Sequence, residues 1–157
     1  MVAILSYHLF CVKFRVRSMF TKQQIKFFEK ARQIAEESCF EVYHVGCIAV
    51  LKNKIIAASC NQLKTHPLQK RYNVYREFNC ESDPKNMHAL HAEIACLSSI
   101  KQDVNFKDIE LYIVRQLKSG GNGMSRPCAA CMPYIKSLGI RDIYYSTNYG
   151  YAHEQLL

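Results

Sequence analysis

Stretches with helical periodicity alternate with short apolar stretches of strand character along most of this 157-residue chain. Thr21 and Gln24 have the spacing of a capping box, and the apolar stripe that follows them to residue 38 predicts a first helix. Two runs rich in valine, isoleucine and alanine, at residues 44–51 and 55–60, flank a polar tripeptide. These runs predict an antiparallel hairpin directly after the helix.

The second half of the chain continues the alternation. Helices are predicted at residues 88–100 and 127–139, strands at residues 109–115 and 142–147, and a turn into a short antiparallel fifth strand at residues 148–151. Pro133 removes a helical hydrogen bond, so the last helix is expected to start late or to kink. Strands that alternate with helices imply parallel crossovers. The predicted fold class is α/β, a three-layer α/β/α sandwich with a mixed sheet of about five strands.

Charge and cysteine usage narrow the class of protein. There are 21 Lys and Arg residues against 13 Asp and Glu, a formal net charge of +8 that favours a polyanionic partner or a phosphorylated ligand. The eight cysteines occur in a chain with no convincing export signal, which is typical of reduced thiols in the cytoplasm. A cytoplasmic localisation is therefore expected.

The N-terminal segment needs separate treatment because residues 1–12 are mostly apolar. No positive segment precedes this run, and it is far shorter than the ~20 residues of a membrane-spanning helix. We expect no membrane attachment. Residues 1–20 are interpreted as an N-terminal extension of uncertain role, and residues 21–157 as the functional domain.

Two short motifs supply the residues that can do chemistry. His91-Ala92-Glu93 lies at the start of the second predicted helix, and Cys128 and Cys131 lie three residues apart at the start of the third. One imidazole and two thiolates are three zinc ligands that leave a fourth position open, as in a catalytic site. His91 and Glu93 would diverge in mid-helix, so both can face one metal ion only from the first turn.

These two motifs, in this order and on successive helices, resemble the signature of the cytidine deaminase-like superfamily. The resemblance covers most of residues 21–147. It implies that His91, Cys128 and Cys131 hold one catalytic zinc ion. It also implies that Glu93 moves protons between the attacking water, the ring nitrogen of the base and the leaving ammonia.

The resemblance also suggests substrate-binding positions. Asn61 ends the second hairpin strand and looks like the asparagine with which relatives contact the sugar, although an ordinary turn asparagine is an equally open interpretation. The backbone N–H of Ala92 and the backbone carbonyl of Arg126 take the positions that read the edge of the base in relatives.

The expected activity is zinc-dependent hydrolytic deamination of cytosine to uracil, in a cytosine nucleotide or in single-stranded DNA or RNA. Relatives that act on free cytidine typically carry cysteine where this chain has His91, which argues against cytidine itself. Adenine or guanine deamination and a catalytically silent, zinc-containing nucleic-acid-binding module are the alternatives, and a homo-oligomeric assembly is left open.

The basic and aromatic stretch from Lys64 to Phe78 does not separate the candidate substrates. Its lysines, arginines and tyrosines suit a protein that follows a single strand, one that clamps a nucleotide phosphate, or one with a solvated loop over the pocket. All three interpretations stay open at this stage.

Overall fold

The computed structural model describes residues 19–76 and 89–156. The helices of this part are α1 (Lys22–Glu36), α2 (Pro67–Tyr72), α3 (Ala92–Ser98) and α4 (Cys131–Ser137). The strands are β1 (His44–Leu51), β2 (Lys54–Cys60), β3 (Gln62–Thr65), β4 (Ala89–Leu90), β5 (Ile109–Gln116), β6 (Asn122–Gly123), β7 (Asp142–Thr147) and β8 (Gly150–Gln155). Residues 1–18 of the predicted N-terminal extension lie outside the described residues. Residues 77–78, at the end of the basic and aromatic stretch, lie outside them as well.

The main sheet has the strand order β2-β1-β5-β7-β8, and the two residues of β6 pair with the end of β5. β5 and β7 are parallel, whereas the other neighbouring strands are antiparallel. Separately, β3 and β4 form a small antiparallel pair. The prediction of a mixed sheet with about five strands is confirmed. Its fifth strand, β8, is longer than expected and pairs along the whole of β7.

Helices cover both faces of the sheet. On one face, Phe28 and Ala31 of α1 pack against Ile48 and Tyr112. On the other face, the apolar side chains of α3 and α4 pack against residues such as Cys47. Because successive side chains of a strand point to opposite faces, Cys47 and Ile48 belong to the hydrophobic cores on opposite faces of the sheet. The three-layer α/β/α arrangement is confirmed.

Local signals account for the first helix and the hairpin. The Thr21 hydroxyl accepts a hydrogen bond from the Gln24 backbone N–H at 3.2 Å, and the Gln24 side chain accepts one from Thr21 N–H at 2.8 Å. Lys52 and Asn53 both have positive φ, 49° and 62°, which is the geometry of a two-residue turn that matches strand twist. The hairpin is confirmed, with β2 starting at Lys54.

The second predicted helix is shorter than the sequence pattern suggests. Ala89 and Leu90 form β4, which pairs with β3, and α3 begins only at Ala92 with His91 as its N-cap. A helix starting at residue 88 is therefore wrong, because these residues form a strand pair with a partner distant in the chain.

The third predicted helix also begins late, as Pro133 requires. α4 starts at Cys131, so Pro133 lies in the first turn, where a missing N–H removes no intrahelical hydrogen bond. A start at Pro127 is wrong, and the late start expected from Pro133 is confirmed. In the part of the chain that the structure describes, no helix is long and apolar enough to span a lipid bilayer.

Gly46 marks the closest approach between α1 and the sheet. A Cβ atom built there would overlap the carbonyl oxygen of Ala31 and lie 2.5 Å from the backbone nitrogen of Ala35. Both neighbours are backbone atoms of α1, so they cannot move aside as a flexible side chain would. The helix can therefore pack at this distance only over a glycine.

We predict that Gly46→Ala lowers the free energy of unfolding by more than about 2 kcal/mol, because overpacking a tight core contact typically costs 1–3 kcal/mol. Urea unfolding measures the effect. Gly121→Ala is the matched control, since only the Ser119 hydroxyl lies as near as 4.0 Å to its added Cβ. Equal stability of the two variants would contradict the close approach of α1.

Candidate active site

The start of α3 presents His91 and Glu93 on the same side. His91 is the N-cap residue with extended backbone angles, φ −75° and ψ 150°, and Glu93 is the second residue of the helix. Both therefore lie within the first turn, which is the arrangement that the spacing of the motif requires. Both side chains line one cavity.

The start of α4 presents the two cysteines. Cys131 is its first residue, and Cys128 lies in the turn just before, where its carbonyl accepts a hydrogen bond from Met132 N–H at 2.9 Å. This turn places both sulfur atoms beside the His91 ring. Each Sγ lies 3.4 Å from His91 Nδ1.

The spacing of these three side chains suits one tetrahedral zinc ion. Their ligand atoms all lie within 4.8 Å of one another. Zinc binds sulfur at about 2.3 Å and imidazole nitrogen at about 2.0–2.1 Å, so a tetrahedral site separates nitrogen from sulfur by about 3.6 Å. The separation of 3.4 Å between Nδ1 and each sulfur is close to this value. The donor set fits a metal with a fourth position left for another ligand.

The protonation of the cluster also suits a metal site. A hydrogen bond from Cys131, with further help from His91, lowers the pKa of the Cys128 thiol to about 3. Burial raises the pKa of the Cys131 thiol. The cluster thus offers one ready thiolate, and a metal ion has to displace the proton of the second thiol on binding.

Glu93 is the acid that stands beside the cluster without belonging to it. Its side chain is only 5% exposed. Burial raises the pKa of the Glu93 carboxyl, and the nearby His91 ring opposes this in part. A carboxyl group with a raised pKa is a better proton acceptor, and it can return the proton to a leaving group, as acid–base catalysis requires.

The cavity in front of the cluster has a volume of about 210 Å³ and a mostly apolar lining. His91, Glu93 and Cys128 form one side, and Tyr43 and Asn61 lie among the other lining residues. A cavity with a few convergent polar groups and a carboxyl of perturbed pKa is the usual setting of an active site. We identify it as the candidate active site.

Asn61 lies in this cavity but is held by the backbone of the strand opposite. Its Oδ1 accepts a hydrogen bond from Val45 N–H at 2.9 Å, and its Nδ2 donates one to the Tyr43 carbonyl at 3.3 Å. The side chain is 4% exposed. Asn61 is therefore a buried residue and not a surface turn residue. Its Oδ1 can still accept one more hydrogen bond, and its Nδ2 can still donate one more.

Ala92 and Arg126 also line the cavity. Ala92 is the first residue of α3, so its backbone N–H has no partner within the helix. The Arg126 side chain turns away to Glu154, with which it forms two hydrogen bonds of 2.7 and 2.8 Å. The guanidinium group of Arg126 is therefore already engaged in an ion pair.

Sequence reasoning missed Gln69, a fully buried side chain of α2. Its Oε1 accepts a hydrogen bond from the His91 backbone N–H at 3.0 Å, and its Nε2 donates to Asn73 Oδ1 at 2.7 Å. Because His91 is an N-cap, this bond fixes where α3 begins. The partners are 22 residues apart, and nothing in the local sequence signals the contact.

A buried serine pair was also missed. Ser125 Oγ donates to the Ile113 carbonyl at 2.8 Å and accepts from Ser146 N–H at 2.9 Å, while Ser146 Oγ donates to the Gly123 carbonyl at 2.7 Å. These bonds tie the segment that leads to Cys128 onto β5 and β7. A single serine in a loop and another in a strand carry no sequence pattern that predicts this pairing.

We predict that Gln69→Leu weakens zinc binding by about tenfold or more, because partners that orient metal ligands typically contribute 10–100-fold to metal affinity. The His91 N–H also loses its hydrogen bond, at a cost of about 1–3 kcal/mol in stability. Competition with a chromogenic chelator and urea unfolding measure the two effects. Gln23→Leu, at an exposed position of α1, is the matched control.

An unchanged zinc affinity in Gln69→Leu would contradict a positioning role for Gln69. Equal losses in Gln69→Leu and Gln23→Leu would also contradict it, since the second side chain is distant from His91.

Comparison with known proteins agrees with this geometry. Residues 21–147 match the family described as the cytidine and deoxycytidylate deaminase zinc-binding region. The fold is similar to that of the dCMP deaminase from the cyanophage S-TIM5 in its apo form, with a TM-score of 0.57 and 21% identity over 82% of this chain and 86% of that one.

The same cyanophage enzyme in complex with dCMP and dUMP gives a TM-score of 0.54, with 21% identity over 82% of this chain and 83% of that chain. The search of curated proteins found no match. The two structural likenesses concern the fold, whereas the family match covers four fifths of the sequence and includes both motifs. The chain thus belongs to the cytidine and deoxycytidylate deaminase zinc-binding family, and it is a zinc-dependent deaminase with one zinc ion.

Proposed function

We propose that the chain hydrolyses the exocyclic amino group of cytosine in a cytosine nucleotide, which yields uracil and ammonia, and that His91, Cys128 and Cys131 hold the zinc ion. One observation carries the proposal. The buried Glu93 carboxyl stands next to the His/Cys/Cys cluster and faces the same cavity. A purely structural zinc site would have no use for a buried carboxyl that is not itself a ligand at this place.

When bound, the zinc ion makes hydroxide available at neutral pH by lowering the pKa of water. Attack on C4 of the ring must be followed by loss of the amino nitrogen, and an amide ion cannot leave. Glu93 therefore takes one proton of the attacking water on its carboxylate and gives it to the ring nitrogen. It then carries the remaining hydroxyl proton to the departing amino nitrogen, which leaves as ammonia while C4 becomes the carbonyl of uracil. The raised pKa of Glu93 suits both transfers.

Recognition of the base is proposed to use backbone groups. The unpaired N–H of Ala92 can donate to the edge of the ring, and the carbonyl of Arg126 can accept from it. We also propose that Asn61 contacts the sugar through the hydrogen-bonding capacity that its two backbone partners leave unused. The three residues that carry these groups line the same cavity as Glu93.

A nucleotide substrate is supported by the cyanophage enzyme of similar fold, which binds dCMP and dUMP. One aromatic side chain of the basic and aromatic stretch is already engaged within the protein. Tyr72 packs on Tyr134 with 5.2 Å between ring centroids, and Lys70 and Arg71 point to solvent. Because Tyr72 is already packed, it is a poor platform for stacking a base. Single-stranded DNA or RNA is kept as an outcome of the test.

Two further features bear on the extent of the deaminase domain and on the compartment in which it works. β8 lies beyond the matched region and completes the sheet, which supports residues 21–157 as one deaminase domain. The six described cysteines are free thiols, which supports a reducing compartment such as the cytoplasm.

We predict that Glu93→Gln keeps its zinc ion and loses turnover by about 10²–10⁴-fold, because the amide cannot move a proton. Purified, zinc-loaded protein is incubated with dCMP, CMP, cytidine and short single-stranded oligonucleotides, and ammonia release and product masses are followed. Glu29→Gln, on the exposed side of α1, is the matched control and keeps full activity.

Three outcomes would contradict the proposal in different ways. Full activity of Glu93→Gln would show that Glu93 does not transfer protons in the reaction. Conversion of adenine or guanine compounds in place of cytosine would assign a purine substrate. Tight binding of oligonucleotides without any ammonia release would favour the silent binding module.

We predict that Cys131→Ser no longer retains one zinc ion per chain and has no measurable activity, because a hydroxyl group is a far weaker zinc ligand than a thiolate. Metal content is measured by mass spectrometry after dialysis. Cys39→Ser is the matched control, since Cys39 is exposed and lies outside the cluster. A full complement of zinc in Cys131→Ser would contradict the proposed ligand set.

A further inference from the structure

Arg115 is a charged residue of the active-site cavity to which the proposed chemistry assigns no role. On β5, Ile109, Leu111 and Ile113 point to the face that packs against α3 and α4, and each is at most 1% exposed. Side chains of a strand repeat with a period of two, so Arg115 is the next residue on that same face. The apolar row therefore ends in a cation, and this cation lines the cavity together with His91.

The guanidinium group of Arg115 is held in place by an aromatic ring. Its Cζ atom lies 5.2 Å from the centroid of the Tyr43 ring, which is within the range of a cation–π contact. Tyr43 is itself held through its carbonyl, which accepts the hydrogen bond from Asn61. The position of the guanidinium is thus set by protein contacts that do not use up its N–H groups.

The charge of Arg115 has no counter-ion in the described part of the chain. The ion pairs found there are Arg126 with Glu154 and His153 with Asp142. Arg115 Nε is buried and makes no hydrogen bond. Of the two arginines at the cavity, the charge of Arg126 is matched by a carboxylate, whereas that of Arg115 is open to an anion from outside.

A buried, unpaired cationic donor is unfavourable, and an anion that binds there recovers the lost interaction. A planar guanidinium suits the oxygen atoms of a phosphate, with which it can form two parallel hydrogen bonds. The cavity that Arg115 shares with Glu93 is the proposed place of the base. An anion that reaches Arg115 is therefore part of the substrate.

We infer that Arg115, supported by Tyr43, binds the phosphate group of the nucleotide and makes this chain select cytosine mononucleotides over the nucleosides cytidine and deoxycytidine. The inference rests on the proposed function and adds the residue that determines its substrate class. Arg115 is a binding residue with no part in the proton transfers.

The test compares Arg115→Met and Arg115→Lys with the wild type on dCMP and on deoxycytidine. Arg115→Met is expected to raise KM for dCMP by about 100-fold, because it removes a charged partner of a buried ionic contact, while kinetics on deoxycytidine stay within about twofold. Arg115→Lys is expected to lose about tenfold, since a point charge replaces the bidentate group. Arg141→Met, at an exposed position just before β7, is the control and leaves the kinetics on both substrates unchanged.

Binding is measured separately by calorimetry with the product dUMP, so that the result does not depend on turnover. Arg115→Met is expected to bind dUMP about 100-fold more weakly than the wild type and to bind deoxyuridine equally well. A wild type that deaminates no cytosine compound would defeat the proposed function, whereas weaker dUMP binding by Arg115→Met would still support the phosphate contact.

Two results would overturn the inference while the deaminase assignment stands. In the first, Arg115→Met converts dCMP and binds dUMP like the wild type. In the second, Arg115→Met impairs the kinetics on dCMP and on deoxycytidine equally, which would mean that Arg115 only supports the shape of the cavity.

Discussion

The apolar face that the central sheet shares with α3 and α4 is the constraint on which the active site depends. Leu111 and Ile113 are completely buried on it, and burial of side chains of this size is worth about 1.5–3 kcal/mol each. This burial fixes the face of β5 that meets the two helix starts. The same alternation then makes Arg115 point into the cavity, so the packing of the core and the position of the cation have one cause.

Buried hydrogen bonds position the backbone segments that surround the active site. Gln69 holds the backbone of His91, Asn61 holds the strand opposite through Val45, and Ser125 holds the segment that leads to Cys128. None of these bonds involves a metal ligand side chain. Because buried polar groups must find partners, each bond specifies the position of one backbone segment that lines the cavity.

The electrostatics of the site separate the roles of neighbouring groups. Hydrogen bonds lower the pKa of Cys128 and favour a thiolate that can bind metal, whereas burial raises the pKa of Glu93 and favours a carboxyl that exchanges protons. Pushing pKa values apart in this way is how one site supplies both a metal ligand and an acid–base group. Of the two arginines that line the cavity in the described part of the chain, Arg126 is paired with Glu154, whereas Arg115 has no carboxylate partner.

The sequence by itself determined the features that depend on near neighbours in the chain. These are the Thr21 cap, the order of helices and strands, and the spacing within each of the two motifs, which puts Glu93 beside His91 and Cys128 beside Cys131. The meeting of the two motifs, 37 and 40 residues apart in the chain, needed the tertiary structure. Tertiary structure decided the late start of α3, the contact of Gln69 with His91 over 22 residues, and the meeting of Tyr43 with Arg115. Such contacts depend on which strands pair, and that follows from packing of the whole sheet rather than from any local pattern.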